Sequence, residues 1–362
     1  MAINKSFCPG NIPIAIQRFR NDDELAQFRS NTLTQPLSGG HCQVYRLGFF
    51  DDVDWAVRIP IHLSSCSEEE VVSVLMTEIE TLKNLEDCQF PWSPRVIGYD
   101  MTFDNAIGFP FLVLTWIPGE PLSWTATTPR KRMDRERVVD QIAKIMLSLI
   151  SCTRKDGVSA LEYFTDKIDQ KVIRICQGRL PELEINHCLL LKCVLPEILH
   201  PELDNAPSFI DHGDLSAGNI IVDSEYNVKG IIDWGFANYQ PFQLAASLPR
   251  FLAVEHPPGL ELYLMLQKDR ANFLKALRRE LPNSSVIVSL LLKMYSAPDV
   301  DYRRLILEAI VSKGRHKWFA DRPSLYSDTP VDLKWEVSEF FARQGGQKSG
   351  LHATALMERL ES

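Results

Sequence analysis

The chain of 362 residues contains no apolar run that approaches the roughly 18 residues a membrane-spanning helix needs. Its opening residues also lack the apolar stretch of about 7–15 residues that a secretory signal carries. Together these absences lead to the expectation of a cytoplasmic protein that engages no membrane. The eight cysteines, at 8, 42, 66, 88, 152, 176, 188 and 193, form no C-x-x-C pair. A chain long enough to bury a core has no need of a disulfide framework, so free thiols are expected. His187-Cys188 followed by Cys193 is too sparse for a zinc site. Excess basic charge is missing too: 39 Lys and Arg against 47 Asp and Glu leave a net charge of −8. That balance argues against a nucleic-acid partner held through phosphates. The one basic stretch, Pro129-Arg-Lys-Arg132, is followed by Asp134 and Glu136 and reads as the start of a solvated helix. Internal repeats and long low-complexity segments are likewise absent.

What is present is an ordinary globular composition, 45% hydrophobic, at a length that suits two domains or one large two-lobed fold. The first 119 residues hold 8 basic and 15 acidic side chains, or −7, and the remainder holds 31 and 32, or −1. The character of the sequence changes near the same place. Gln43–Phe50 and Trp55–Ile59 are short β-type runs joined by the acidic turn Asp51-Asp-Val-Asp54, which predicts a hairpin. Glu68–Leu85 predicts a helix with acidic residues in its first turn, and Phe109–Ile117 a strand ended by Pro118-Gly119. Beyond Pro121 helical spacing dominates, as in Val138, Val139, Ile142, Ile145, Met146, Leu149 and Ile150, and again in Tyr263–Glu280 and Asp332–Arg343. An island of strand, Asn219–Asp223 and Val228–Asp233, interrupts it. The expected layout is α+β: a small β-rich unit at 1–118, a larger helical unit at 119–345, and a frayed tail at 346–362, with a hinge at Thr115–Gly119.

The island carries the chemistry. If its two strands pair as an antiparallel hairpin with Asp223 opposite Val228, Asn219 lies opposite Ile232 and next to Asp233. Asp214 precedes that open end by a short loop. Asp and Asn each serve often as turn caps, but three oxygen-bearing side chains converge here. Two hard oxygen ligands at such a mouth suit Mg²⁺, which completes its shell with water and phosphate. A third carboxylate outside that shell can orient a hydroxyl and accept its proton. In the helix, Leu75, Glu78, Leu82 and Leu85 all fall within about 40° of Val71 at about 100° per residue, whereas Glu80 points to the opposite side. Glu78 either reaches for water at the helix edge or meets a buried cation, and Arg58 on the neighbouring strand is the obvious one.

The pattern H-x-D-x-x-x-x-N, hairpin, D-x-G at His212–Gly235 resembles the aminoglycoside phosphotransferase/choline kinase family, small-molecule kinases of the protein-kinase-like fold. The resemblance spans roughly residues 33–255 and implies a two-lobed fold that binds ATP with Mg²⁺. On it, Asp214 corresponds to the catalytic base and Asn219 and Asp233 to the Mg²⁺ ligands, while His212 braces the loop. Ser38, Gly39 and Gly40 resemble the family's glycine loop over the phosphates. Arg58 stands where the kinase pattern has Lys, paired with Glu78; as a permanent cation with a bidentate fork it can still grip phosphate. Thr115 and Ile117 fall where the family hinge binds adenine through backbone groups, on a run apolar enough to be a plain core strand.

The expected function is transfer of the γ-phosphate of ATP to a hydroxyl of a small molecule. A protein acceptor is disfavoured, because no A-P-E signature follows Asp233-Trp-Gly235. A hydrolase elbow fails as well, since Gly213-Asp-Leu-Ser-Ala-Gly218 has one residue too many for G-x-S-x-G. The nearly neutral larger unit is a poor match for a polycationic acceptor. Trp234, Tyr239, Phe242, Trp318 and Phe319 either line a pocket for choline-like amines or an aromatic metabolite, or belong to the core. Arg58 motivates the alternative of a pseudokinase or scaffold without turnover, which the intact Asp214, Asn219 and Asp233 oppose. The oligomeric state is not legible.

Overall fold

The computed structural model describes residues 7–20, 22–29, 31–39, 42–61, 67–253, 260–280, 286–297 and 299–322. Gly40, the helix expected at 332–343 and the tail expected at 346–362 lie outside them. After the short helix α1 (Ile12–Gln17) come strands β1 (Gln27–Phe28), β2 (Leu37–Ser38), β3 (Gln43–Gly48) and β4 (Asp54–Ile59). Helix α2 (Glu68–Asp87) follows, then β5 (Val96–Asp100) and β6 (Phe111–Thr115). These strands form one antiparallel sheet in the order β1-β3-β4-β6-β5, with β2 on the outer edge of β3. The expected hairpin is β3–β4, with Gln43 opposite Ile59 and Gly48 opposite Asp54.

Period-two alternation divides the sheet's side chains between two cores. Tyr45, Leu47, Val57, Phe111 and Val113 pack with Ile12 and Ile16 of α1. Leu112 and Leu114 face the other way, onto Leu75, Ile79, Leu82 and Leu85 of α2. That helix begins with a capping box: the Ser67 hydroxyl accepts from the Glu70 N–H, and the Glu70 carboxylate accepts from the Ser67 N–H. The box and the apolar stripe set the rotation of α2, and with it the direction of Glu78.

Between Thr115 and Glu120 the chain leaves this sheet and enters a second. There β7 (Glu120–Pro121) and β10 (Val228–Ile231) flank β9 (Ile220–Val222), while β8 (Ser208–Asp211) pairs with β11 (Asn238–Pro241). Gly119 makes the crossing at φ +134, and a Cβ there would stand 2.5 Å from the carbonyl oxygen of Val222. Around these small sheets pack α3 (Arg132–Cys152), α4 (Ala160–Cys176), α5 (Ile185–Ile198), α6 (Phe242–Ala245), α7 (Leu260–Glu280), α8 (Val286–Tyr295), α9 (Val300–Val311) and α10 (Lys313–Ala320). The core that starts under α2 continues through α3, Ile220, Trp234 and Phe273, so the two units share one apolar interior. A second core joins α4, α5, α9 and α10. No described helix is long and apolar enough to cross a membrane. The architecture is α+β, with the sheet-rich part first and the helical part after it.

One expectation is corrected. Val228 pairs with Val222 and not Asp223; a bulge before Gly230 then restores the expected register, with Gly230 opposite Ile221 and Ile231 opposite Ile220. The cause is Asp223, whose Oδ1 accepts from the N–H groups of Glu225 and Asn227 and so closes the turn instead of extending the ladder. Of the aromatics left open between core and pocket, Trp234, Phe242 and Phe319 are fully buried and belong to the core. The basic stretch does open helix α3, with Arg130 and Lys131 exposed as expected. Arg132 donates to Asp269 on α7, and beside it Arg135 is wholly buried, donating to both oxygens of Asp269 and to the carbonyls of Thr125 and Thr128. The Arg135 guanidinium also lies 4.0 Å from the Trp124 ring centre. Every charge in that cluster is answered, which is the condition for burying it.

Gly119 and Gly178 separate strain from crowding. Gly178 also has positive φ, at +70, but a Cβ there meets nothing within 4 Å. Gly178→Ala should lower stability by about 1 kcal/mol, and Gly119→Ala by about 3 kcal/mol, since strain and a backbone clash combine. Urea unfolding of the two variants measures the difference; equal losses would contradict the crowding at Gly119.

Candidate active site

Strand β8 runs into the loop through His212 and Gly213. Gly213 sits at φ +76, and a Cβ on it would lie 2.5 Å from the carbonyl oxygen of Phe236, so this approach of two loops requires glycine. His212 is buried and spends both ring nitrogens: Nδ1 accepts from the Asp214 N–H at 3.3 Å, and Nε2 donates to the Ile232 carbonyl at 3.0 Å. Burial lowers its pKa, which keeps the ring neutral and suited to one donor and one acceptor role. Its ring packs 4.6 Å from that of Trp234, whose Nε1 donates to the Ile231 carbonyl. The expected bracing role of His212 is therefore visible as hydrogen bonds.

Asp214 projects from this braced loop with its side chain partly exposed. Its carbonyl accepts from the Ser216 N–H at 2.7 Å and from Nδ2 of Asn219 at 2.8 Å. Because the amide nitrogen of Asn219 is committed there, its Oδ1 faces away and is presented as an oxygen donor. The Asn219 carbonyl in turn accepts from the Ile232 N–H at 2.9 Å, which places Asn219 beside the start of the Asp233 turn, as the register reading expected. Asp233 adopts the left-handed conformation at φ +64 and opens the turn Trp234–Phe236. Aspartate tolerates that region better than most residues.

Arg58 on β4 reaches both acids. Its Nη1 stands 3.2 Å from Glu78 Oε1 and its Nη2 2.5 Å from Asp233 Oδ1. Glu78 is 2% exposed, so the stripe residue has found its cation and does not reach for water. Burial, with a smaller push from Asp233, lifts the Glu78 carboxyl to about 7 against the pull of Arg58. Gly235 borders the cluster: a Cβ there would stand 3.4 Å from Arg58 Nη2 and 3.6 Å from Glu78 Oε2, at ordinary contact distance. Arg58 Nε is buried with no hydrogen-bond partner among the described residues.

The donor set also bears on a metal. Among the described residues no group of three or more His, Cys, Asp or Glu side chains could cage an ion. Asn219 and Asp233 supply two oxygen donors, the few-ligand arrangement that fits an ion arriving with nucleotide phosphates. The other expected residues lie around this centre. Ser38 and Gly39 belong to the β2–β3 hairpin, where the Gly39 N–H donates to the Cys42 carbonyl at 3.0 Å. Thr115 commits its N–H and its hydroxyl oxygen to Arg95. The Ile117 side chain covers Gly230, and among the described residues its backbone N–H and carbonyl make no hydrogen bond.

Two neighbours escaped the sequence reading. Cys42 is buried against Arg58, which opposes the upward push of burial on its thiol. Its place one residue before β3, whose Gln43 pairs with Ile59, was the available signal. Arg250, in the turn Arg250–Leu252, donates from Nη1 to Asp214 Oδ1 and from Nη2 to Glu308 Oε2. No local pattern marks it.

Glu78→Ala would strand the Arg58 charge and should cost about 3–5 kcal/mol in urea unfolding. Glu80→Ala, two residues on and exposed, should stay within about 0.5 kcal/mol. Similar values for the two would remove Glu78 from the buried cluster.

Comparison with known proteins agrees with this geometry. The model of the phosphotransferase enzyme family matches residues 32–244, more than half of the chain. In fold, the chain is similar to APH(2")-IIa in a ternary complex with streptomycin and ATP, at TM-score 0.50 and 16% identity over 93% of this chain and 97% of that one. It is also similar to a putative aminoglycoside phosphotransferase of Ralstonia eutropha, at TM-score 0.50 and 12% identity over 87% and 99%. Such identities speak for a shared kinase-like fold alone. Among curated proteins, it is 26% identical over 159 residues to altered inheritance of mitochondria protein 9 of Candida tropicalis, covering 41% of this chain and 25% of that protein. Clavilactone A biosynthesis cluster protein Y of Ampulloclitocybe clavipes is 25% identical over 152 residues, covering 39% and 33%. The chain thus matches about a quarter to a third of the length of these curated relatives. With the family model spanning the sheet, the crossing and the whole loop that carries Asp214, Asn219 and Asp233, the chain belongs to the phosphotransferase enzyme family.

Proposed function

We propose that the protein transfers the γ-phosphate of ATP, in the presence of Mg²⁺, to a hydroxyl of a small molecule. The observation that carries this reading is the convergence of Asp214, Asn219 and Asp233 on one braced loop, next to an arginine that already meets one of these acids. In this reading Asp214 accepts the hydrogen bond of the acceptor hydroxyl and takes its proton as the oxygen attacks phosphorus. The bond from phosphorus to the bridging oxygen breaks, and ADP leaves with that oxygen. Arg58 neutralises phosphate charge, and Glu78 positions Arg58. Asn219 and Asp233 would hold Mg²⁺, which when bound offsets negative charge on the phosphates. Ser38, Gly39 and Gly40 cover the phosphates, and Ile117 with Thr115 borders the adenine. The domain boundary near residue 118 is then the cleft between nucleotide and acceptor sides. Most of the acceleration in such a transfer comes from positioning and charge stabilisation, and a loop locked by His212, Gly213 and Trp234 supplies the first. The proposed location is the cytoplasm, whose reducing conditions suit a sequence with no C-x-x-C pair.

One observation favours the alternative of a nucleotide-binding scaffold: both Asp214 and Asp233 are already engaged by arginines. A single pair of variants decides. Asp214→Ala should abolish acceptor-dependent ADP release, a loss of at least about 10³-fold, while Mg²⁺-ATP binding by calorimetry persists. Asp233→Ala should weaken Mg²⁺-ATP binding itself by about tenfold or more. Wild-type ADP release by Asp214→Ala would refute the assignment of the base, and ATP binding without release on any hydroxyl acceptor would favour the scaffold.

A further inference from the structure

The contact between Arg250 and Asp214 bears on what the acceptor is. Arg250 follows Pro249 in a short turn whose next residues, Phe251 and Leu252, are buried. The ring of Phe251 packs 5.1 Å from that of Trp124, and the Leu252 carbonyl accepts from Arg270 Nε at 2.7 Å. With its neighbours anchored on both counts, the Arg250 side chain is held over the catalytic loop, one nitrogen on Asp214 and another on Glu308 of α9. It is 19% exposed, and so stands at the rim of the site and not in the core.

A recess open to solvent adjoins Arg250 and Glu308. It is bounded by Gly213 and Leu215, which flank Asp214, and by Leu149 and Leu248. Its charged lining consists of Asp211, Arg250, Arg304 and Glu308. Neither acid offers a cation a ready partner. Glu308 is engaged by Arg250 and Arg304, each at 3.3 Å, and by Arg315 at 3.4 Å. Burial pushes the Asp211 carboxyl up to about 7. A polycationic acceptor entering here would meet Arg250 and Arg304 in the lining, with Glu308 already engaged by arginines, and be repelled. An acceptor with an anionic group has the opposite experience: a carboxylate or phosphate competes with Asp214 for the planar guanidinium fork and makes charge-assisted hydrogen bonds. That exchange returns Asp214 Oδ1 to its task of holding the hydroxyl.

We propose that the acceptor carries an anionic group, a carboxylate or a phosphate, close to its reacting hydroxyl, with Arg250 as the residue that reads it. The inference rests on the phosphotransferase reading above and narrows its substrate class.

The test uses the full chain with Mg²⁺-ATP and follows ADP release and thermal unfolding over matched compounds. The anionic arm holds 4-hydroxybutyrate, 3-hydroxybenzoate and glycerol 3-phosphate; the neutral arm holds the two methyl esters and glycerol; the cationic arm holds choline and kanamycin. Release confined to the anionic arm is expected, and its carboxylate and phosphate members tell the two anions apart. Arg250→Gln should then raise the KM of the active anion about tenfold or more, with the KM of ATP moved less than about twofold and partial recovery in Arg250→Lys. Thermal unfolding confirms that both variants are folded. Equal turnover of neutral or cationic acceptors, or an unchanged anion preference in Arg250→Gln, would overturn the proposal. Turnover in the neutral or cationic arm with no anion turned over or shifting Tm would also overturn it while leaving the phosphotransferase reading intact, and Mg²⁺-ATP binding without release in any arm would overturn it and favour the scaffold. Failure of Mg²⁺-ATP to bind would instead defeat that reading.

Discussion

The Arg58 guanidinium is the point on which the arrangement of this protein turns. One nitrogen faces Glu78 on α2 and another faces Asp233, which lies 175 residues away in the chain. A charge removed from water is tolerated only with its partners in place, so β4, α2 and the loop after β10 must meet in one relative position. The elements that look like ordinary packing serve this meeting. The capping box and apolar stripe rotate α2 so that Glu78 faces inward. The shared apolar core running from α2 to Trp234 holds the two sheets at the required spacing.

The loop between β8 and β10 shows the complementary principle, in which polar side chains are spent on the backbone to fix the loop. His212 consumes both of its nitrogens, Trp234 its indole N–H, and Asn219 its amide nitrogen, all on main-chain groups. What remains directed outward is oxygen: the carboxylates of Asp214 and Asp233 and Oδ1 of Asn219. Hard oxygen donors held by a rigid scaffold are the chemical precondition for handling phosphate and a divalent ion. The two arginines that touch these acids come from distant parts of the chain, Arg58 from the sheet and Arg250 from the helical unit.

Much of this was legible in the sequence wherever a local period or a paired register governs. The inward direction of Glu78 followed from helical spacing, and the adjacency of Asn219 and Asp233 from antiparallel pairing. The register was off by one at Asp223 because a side chain closing its own turn competes with the ladder, and the bulge absorbed the extra residue. The aromatics at 234, 242 and 319 could be assigned to core or pocket only in three dimensions, since burial depends on what packs above them. Arg135 reads as one more charge on a solvated helix until Asp269, 134 residues away, is brought beside it.

The sequence by itself determined the α+β layout, the kinase-like motif, the cation at position 58 and the carboxylate that meets it, because these depend on periodicity and on spacing within single elements. Tertiary structure alone decided that Arg250 rests on Asp214, that Cys42 lies against Arg58, and that Arg135 and Asp269 are buried together. Each of those pairings joins segments with no shared period or register. They meet only because helices and loops far apart in the chain are packed by their apolar faces, and the polar groups carried along must then find partners where the packing leaves them.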